Sequence, residues 1–87
     1  TTYSLSQNYP NPFNPSTTIR WQQPETELVT LKIYDVLGRE VTTLVNEELT
    51  AGTHETVFDA SGISSGVYFY QIKAEGFIET KKMILLR

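Results

Sequence analysis

Apolar and polar side chains alternate along most of this chain with a period of two. Val29, Leu31 and Ile33 fall on one side of an extended backbone, and Thr30, Lys32 and Tyr34 on the other, so Leu28–Tyr34 is predicted as a strand. Tyr68, Tyr70 and Ile72 oppose Val67, Phe69, Gln71 and Lys73, which predicts a second clear strand over Val67–Ala74. Ile19 and Trp21 oppose Arg20 and Gln22 within Thr17–Gln23. Shorter stretches at Tyr3–Gln7, Arg39–Val45, Thr53–Phe58 and Phe77–Leu86 complete the set, with Phe58 the expected buried residue of its strand. No stretch carries the helical period over the ten or more residues an average helix needs.

Punctuation agrees with this reading. Pro10, Pro12 and Pro15 lack backbone donors, so Asn8–Ser16 is expected as an extended, polyproline-like crossover, with Tyr9 and Phe13 capping one end of the core. Asp35-Val36-Leu37-Gly38 has turn chemistry: the Asp35 carboxylate can bond backbone two residues on, and Gly38 supplies positive φ. Asn46–Gly52 is expected as a longer polar loop with Leu49 tucked inward, and Asp59–Gly66 as a turn-rich connection pinned by Ile63. About seven strands in 87 residues predict an all-β, immunoglobulin-like antiparallel sandwich. Ser65-Gly66-Val67-Tyr68 has the spacing of a tyrosine corner, in which a Tyr near a strand start bonds back to the preceding bend. Tyr70 then takes the place of the second cysteine of antibody domains.

Length and charge narrow the function. A chain of this size makes one domain with a thin core and little room for a deep active site. Seven Lys and Arg against ten Asp and Glu give a net charge of −3, which argues against a nucleic-acid binder held by phosphate contacts. Without cysteine there is no disulfide, thiolate zinc site or Cys nucleophile. No apolar run exceeds four residues, so no segment reads as a membrane-spanning helix. A start at Thr1 reads as a piece of a longer protein. Charge is uneven: residues 1–72 carry three basic and eight acidic groups, whereas residues 73–87 carry four basic and two acidic ones. The last strand is thus basic and apolar, and reads either as an edge strand presented for strand addition or as a sheet strand with Lys81 and Lys82 as gatekeepers.

Candidate chemistry is sparse. His54 is the sole histidine; Asp59, Ser61, Ser64 and Ser65 follow it without any nucleophile motif and read as turn formers. Glu47 and Glu48 are adjacent on the expected loop and read as a solvated tip. Asp59 and the carbonyls after it lack the spaced acid signature of a calcium loop. Neither cofactor nor metal is expected. Trp21, Tyr34, Tyr68, Phe69 and Tyr70 could stack on sugar if exposed on one face, or could fill the core. A carbohydrate-binding module is therefore the alternative among binding functions.

Several segments together resemble a known family. Tyr9-Pro10-Asn11-Pro12-Phe13-Asn14-Pro15 with Thr17-Thr18-Ile19, Ile33–Val41, Ala51–His54, Gly66–Tyr70 and Lys81–Arg87 resemble, in order, the type A C-terminal sorting domains of the type IX secretion system. The resemblance covers Tyr3 to Arg87. It implies an immunoglobulin-like sandwich without catalytic activity, placed after an N-terminal cargo and read by an outer-membrane translocon. It implies passage through the periplasm to the cell surface or beyond, and a sortase-like peptidase that removes the domain and attaches the cargo. Recognition residues implied are Gly66, Tyr68, Lys81, Lys82, Met83, Ile84, Leu85, Leu86 and Arg87. The immunoglobulin-like domain of the flagellar hook-capping protein is a related assembly scaffold and the main alternative. Thr56 and Phe58 stand where Val and Trp are common in the family.

Overall fold

In the computed structural model, which describes residues 2–86, the alternating stretches become strands, and in the two clearest, Leu28–Tyr34 and Val67–Ala74, the buried face is the one the alternation predicts. The strands are β1 (Ser4–Leu5), β2 (Ser16–Gln23), β3 (Glu27–Tyr34), β4 (Glu40–Leu49), β5 (Gly52–Asp59), β6 (Gly66–Ala74) and β7 (Phe77–Leu85). There is no helix among the described residues. All named pairings are antiparallel. One sheet has the order β1-β2-β5 and the other β4-β3-β6-β7. Their facing sides close an all-β sandwich over one core. Ile19, Trp21 and Phe58 come from the first sheet, and Val29, Leu31, Ile33, Tyr70, Ile72, Met83 and Leu85 from the second.

Two segments differ from the expectation. The polar stretch Asn46–Leu49 is not a loop but the second half of β4, opposite Thr30, Val29, Leu28 and Glu27 of β3. Asn46, Glu47 and Glu48 are tolerated there because β4 is an edge strand, wet along its outer side. Thr50-Ala51 alone then joins β4 to β5, and Leu49 packs against the core as expected. The proline-rich crossover also departs from a polyproline helix. Its Tyr9–Pro10, Asn11–Pro12 and Asn14–Pro15 peptides are cis, and the segment is bonded to both sheets. Tyr9 bridges Thr18 of β2, and Phe13 bridges Leu85 of β7 in parallel. Phe13 is 2% exposed and caps the core, but Tyr9 is 80% exposed and does not. Tyr9 lies over β2, outside the space between the sheets.

Polar groups fix this frame where apolar packing alone would not. Gln23 is in phase with Ile19 and Trp21, so its side chain points into the core. It is fully buried, and its amide is well used: Oε1 accepts from Trp21 Nε1 at 3.0 Å, while Nε2 donates to the carbonyls of Glu25 and Leu49, each at 3.0 Å. A buried amide so satisfied ties the end of β2 to the end of β4. At the other side Tyr3 stacks on Phe77 with centroids 4.8 Å apart and donates to Glu27 Oε2 at 2.6 Å. That hydrogen bond, with nearby acidic charge, pushes the Tyr3 hydroxyl up to about 12.

Candidate recognition surface

The Asp35–Gly38 turn and the start of β6 lie side by side at one end of the four-stranded sheet. Asp35 Oδ1 accepts the backbone N–H of Leu37 at 2.9 Å and of Arg39 at 3.0 Å, and Gly38 N–H returns to the Asp35 carbonyl at 3.0 Å. Gly38 takes φ +82°, the left-handed region that a Cβ disfavours. The Arg39 N–H, then that of Leu37 and the Arg39 guanidinium, hold the Asp35 carboxyl below its usual value. Val36 and Leu37 at the tip are exposed. They border a shallow groove of about 260 Å³ whose other wall is Ser65–Tyr68.

Across that groove the Tyr68 hydroxyl donates to the Ser64 carbonyl at 2.7 Å, so the side chain folds back on the bend before β6. Gly66 adopts φ +152° with no atom within 4 Å of where a Cβ would lie, so backbone conformation rather than crowding suits glycine there. Through β6 this corner meets the end of the chain: Tyr68 pairs with Met83, and Gly66 with Leu85.

The residues of the last segment do not share one environment. Met83 and Leu85 are fully buried in the core. Lys82, Ile84 and Leu86 point to the outer face, where Ile84 is half-buried and Leu86 exposed. Lys81 and Lys82, adjacent in an extended strand, project to opposite sides. Lys81 Nζ lies 3.3 Å from Glu79 Oε2, while Lys82 stands opposite Phe69 with no ion pair among the described residues. Arg87 lies outside the described residues.

Sequence reasoning missed what lies on the outer edge of β7. Gln7 Nε2 donates to the Lys82 carbonyl at 2.9 Å, and Asn11 Oδ1 accepts the Ile84 N–H at 3.0 Å. Phe13 N–H donates to the Ile84 carbonyl, and the Phe13 carbonyl accepts the Leu86 N–H, both at 3.0 Å. The proline-rich segment is thus a strap that satisfies the edge from Lys82 to Leu86. Its other anchor is Asn8, buried, whose amide donates to Thr17 Oγ1 at 3.0 Å. Interspersed Asn and Gln among prolines were the only available signal, since those side chains can replace the donors proline lacks.

The remaining candidates disperse. Trp21, Tyr68 and Tyr70 are buried, so they offer no sugar-stacking row; Tyr34 and Phe69 are half-buried neighbours on the outer face. His54 stacks on Trp21 with centroids 5.7 Å apart and its Nε2 lies 2.7 Å from the Thr50 carbonyl. Asp59 Oδ1 accepts the Ser61 N–H at 3.0 Å, as a turn former does. Glu47 and Glu48, successive residues of β4, point to opposite faces. Among the described residues no group of three or more His, Asp or Glu is arranged to hold a metal.

The described residues thus form a two-sheet sandwich finished by a half-covered basic edge strand. Residues 7–86 match the secretion system C-terminal sorting domain family, and the chain belongs to it. Members of this family are sorting signals of the type IX secretion system, not catalysts, and act with that machinery on an N-terminal cargo bound for the cell surface or the outside. No curated protein matches the chain.

Proposed function

We propose that residues 1–87 form a single sorting domain that directs export of an N-terminal cargo by the type IX translocon and has no catalytic activity of its own. The observation that carries this reading is the family match over residues 7–86. The cargo crosses the periplasm, and a sortase-like peptidase then removes the domain. Recognition centres on Gly66, Tyr68 and Lys81–Arg87, with divided roles. Gly66, Tyr68, Met83 and Leu85 hold the corner and the last strand in place. Lys82, Ile84 and Leu86 are the accessible side chains.

The division sets the experiment. Deleting residues 83–87 would also remove Met83 and Leu85 from the core, so loss of export would not separate recognition from folding. Surface changes do separate them. A reporter fused ahead of the domain is compared with its Lys82→Glu/Leu86→Asp variant in a host with the secretion system. The reading expects the variant to melt near the parent temperature and to accumulate in the periplasm. Undiminished export of the variant would remove these side chains from recognition.

A further inference from the structure

The strap stops at Lys82, and the edge of β7 continues bare beyond it. The β6–β7 ladder runs from Ala74↔Phe77 to Gly66↔Leu85 without a bulge, so backbone direction alternates strictly. Ile84 and Leu86 face the strap; by the same alternation Ile78, Thr80 and Lys82 turn their N–H groups outward, and Ile78 and Thr80 their carbonyls. These groups make no hydrogen bond among the described residues, and Lys82 gives only its carbonyl, to Gln7. Natural edge strands are commonly blunted by bulges, proline, cover or charge. Here the cover ends halfway, Ile78 to Lys82 has neither bulge nor proline, and Lys82 is its one outward-facing charge. The β4 edge, in contrast, has two register shifts, and β1 is two residues long.

Side chains beside the bare stretch have a definite character. The outer face of the β6–β7 hairpin carries Lys73 and Lys82, neither in an ion pair among the described residues, and no acid between Val67 and Ile84. Ile78, paired with Lys73, is 61% exposed. The β5 edge is also unbulged, but its outward residues include Asp59 and Glu55, the latter paired with Arg20 at 2.8 Å, and no lysine or arginine.

We infer that the β7 edge at Ile78–Lys82 is a docking line for an extended segment of the outer-membrane secretion machinery, which adds as a further strand. The incoming segment is apolar beside Ile78 and acidic beside Lys82, so that backbone pairing supplies affinity and the lysines supply selectivity. This rests on the sorting reading and moves the contact: the buried tail holds the strand in place, and the residues before it do the pairing. Nothing in the domain has to unfold for it.

The test removes one outward donor. Thr80→Pro deletes an N–H that the β6–β7 ladder does not use, a position where an edge strand tolerates proline. Ile78→Glu/Thr80→Glu sets like charge against the acidic segment without touching the backbone. Val57→Pro does to the β5 edge what Thr80→Pro does to β7. Each is placed in the reporter fusion and melted as the isolated domain. The expected result is an exported fraction lowered about tenfold or more by the β7 variants and unchanged by Val57→Pro, with melting intact. If Thr80→Pro does not fold, the Glu pair decides. Parental export by a folded β7 variant overturns the docking line and leaves the sorting reading standing. Retention of the unaltered fusion overturns both. A domain that dimerises through this edge, with the dimer lost in Thr80→Pro and export untouched, gives the edge to a second copy and overturns the inference.

Discussion

The hydroxyl of Tyr70, at the centre of the second sheet, accepts the backbone N–H of Asn8 at 2.8 Å. It donates in turn to the Ser6 carbonyl at 2.7 Å. One buried oxygen thereby fixes where the chain leaves β1 and becomes the strap. Sequence distance between the partners is 62 residues, so the contact joins the two ends of the domain. Tyr70→Phe keeps the ring and leaves the buried Asn8 N–H without its acceptor. Its expected cost is about 1–3 kcal/mol, read from the urea midpoint.

Phe13 and Tyr9 sit four residues apart on the strap in opposite environments. Phe13 is in the core and its ring meets that of Phe58 at 6.1 Å. Phe13→Ala is expected to cost roughly 3–5 kcal/mol, by loss of transfer energy and by the cavity left. Tyr9→Ala is expected to stay within about 0.5 kcal/mol, as for surface changes generally. Equal effects in equilibrium unfolding would contradict the strap's orientation.

Tyr68 combines core packing with the bond to Ser64. Tyr68→Ala is expected to lose about 2–4 kcal/mol. Tyr68→Phe removes only the hydroxyl and is expected to lose about 0.5–1.5 kcal/mol. An unchanged midpoint for Tyr68→Ala would show that the corner does not hold β6.

Stability should fall at both ends of the pH range, for different groups. Asp35 titrates below its ordinary value in the folded state, so its contribution is present above the unfolded value and disappears as pH falls through the folded one. Tyr70 is pushed up to about 12, chiefly by burial. A raised value means that the contribution is complete below the ordinary value of 10.0 and is lost as pH rises towards 12. Urea midpoints measured against pH should therefore drop on the acid side below about pH 4 and again above about pH 10. Tyr70→Phe should shrink the alkaline drop, and Asp35→Ala the acid one.

The strands whose alternation serves the core were legible in the sequence. Val29, Leu31 and Ile33 and then Tyr68, Tyr70 and Ile72 declare their buried face by period alone, and the turn at Asp35–Gly38 is written in its residue types. Where polarity served another purpose the same logic misread it. Asn46–Glu48 is polar because an edge strand faces water, not because the chain loops. Gln23 is polar because it closes a buried network, and only its phase with Trp21 hinted at that. The strap was out of reach for a different reason. Its bonds to β7 join residues about seventy positions apart, and no local period reports such a pairing. That is also why Lys81–Leu86 reads as one motif in sequence but divides in space into core, edge and outer face.

Fractionation of cells carrying the unaltered fusion bears most directly on the central claim. A signal peptide and a fluorescent reporter precede residues 1–87, and the fusion is expressed in a host with the type IX system and in the same host lacking the translocon. The account predicts reporter at the surface or in the medium of the first host and in the periplasm of the second. Reporter confined to the periplasm of both hosts, with the domain folded, would contradict it.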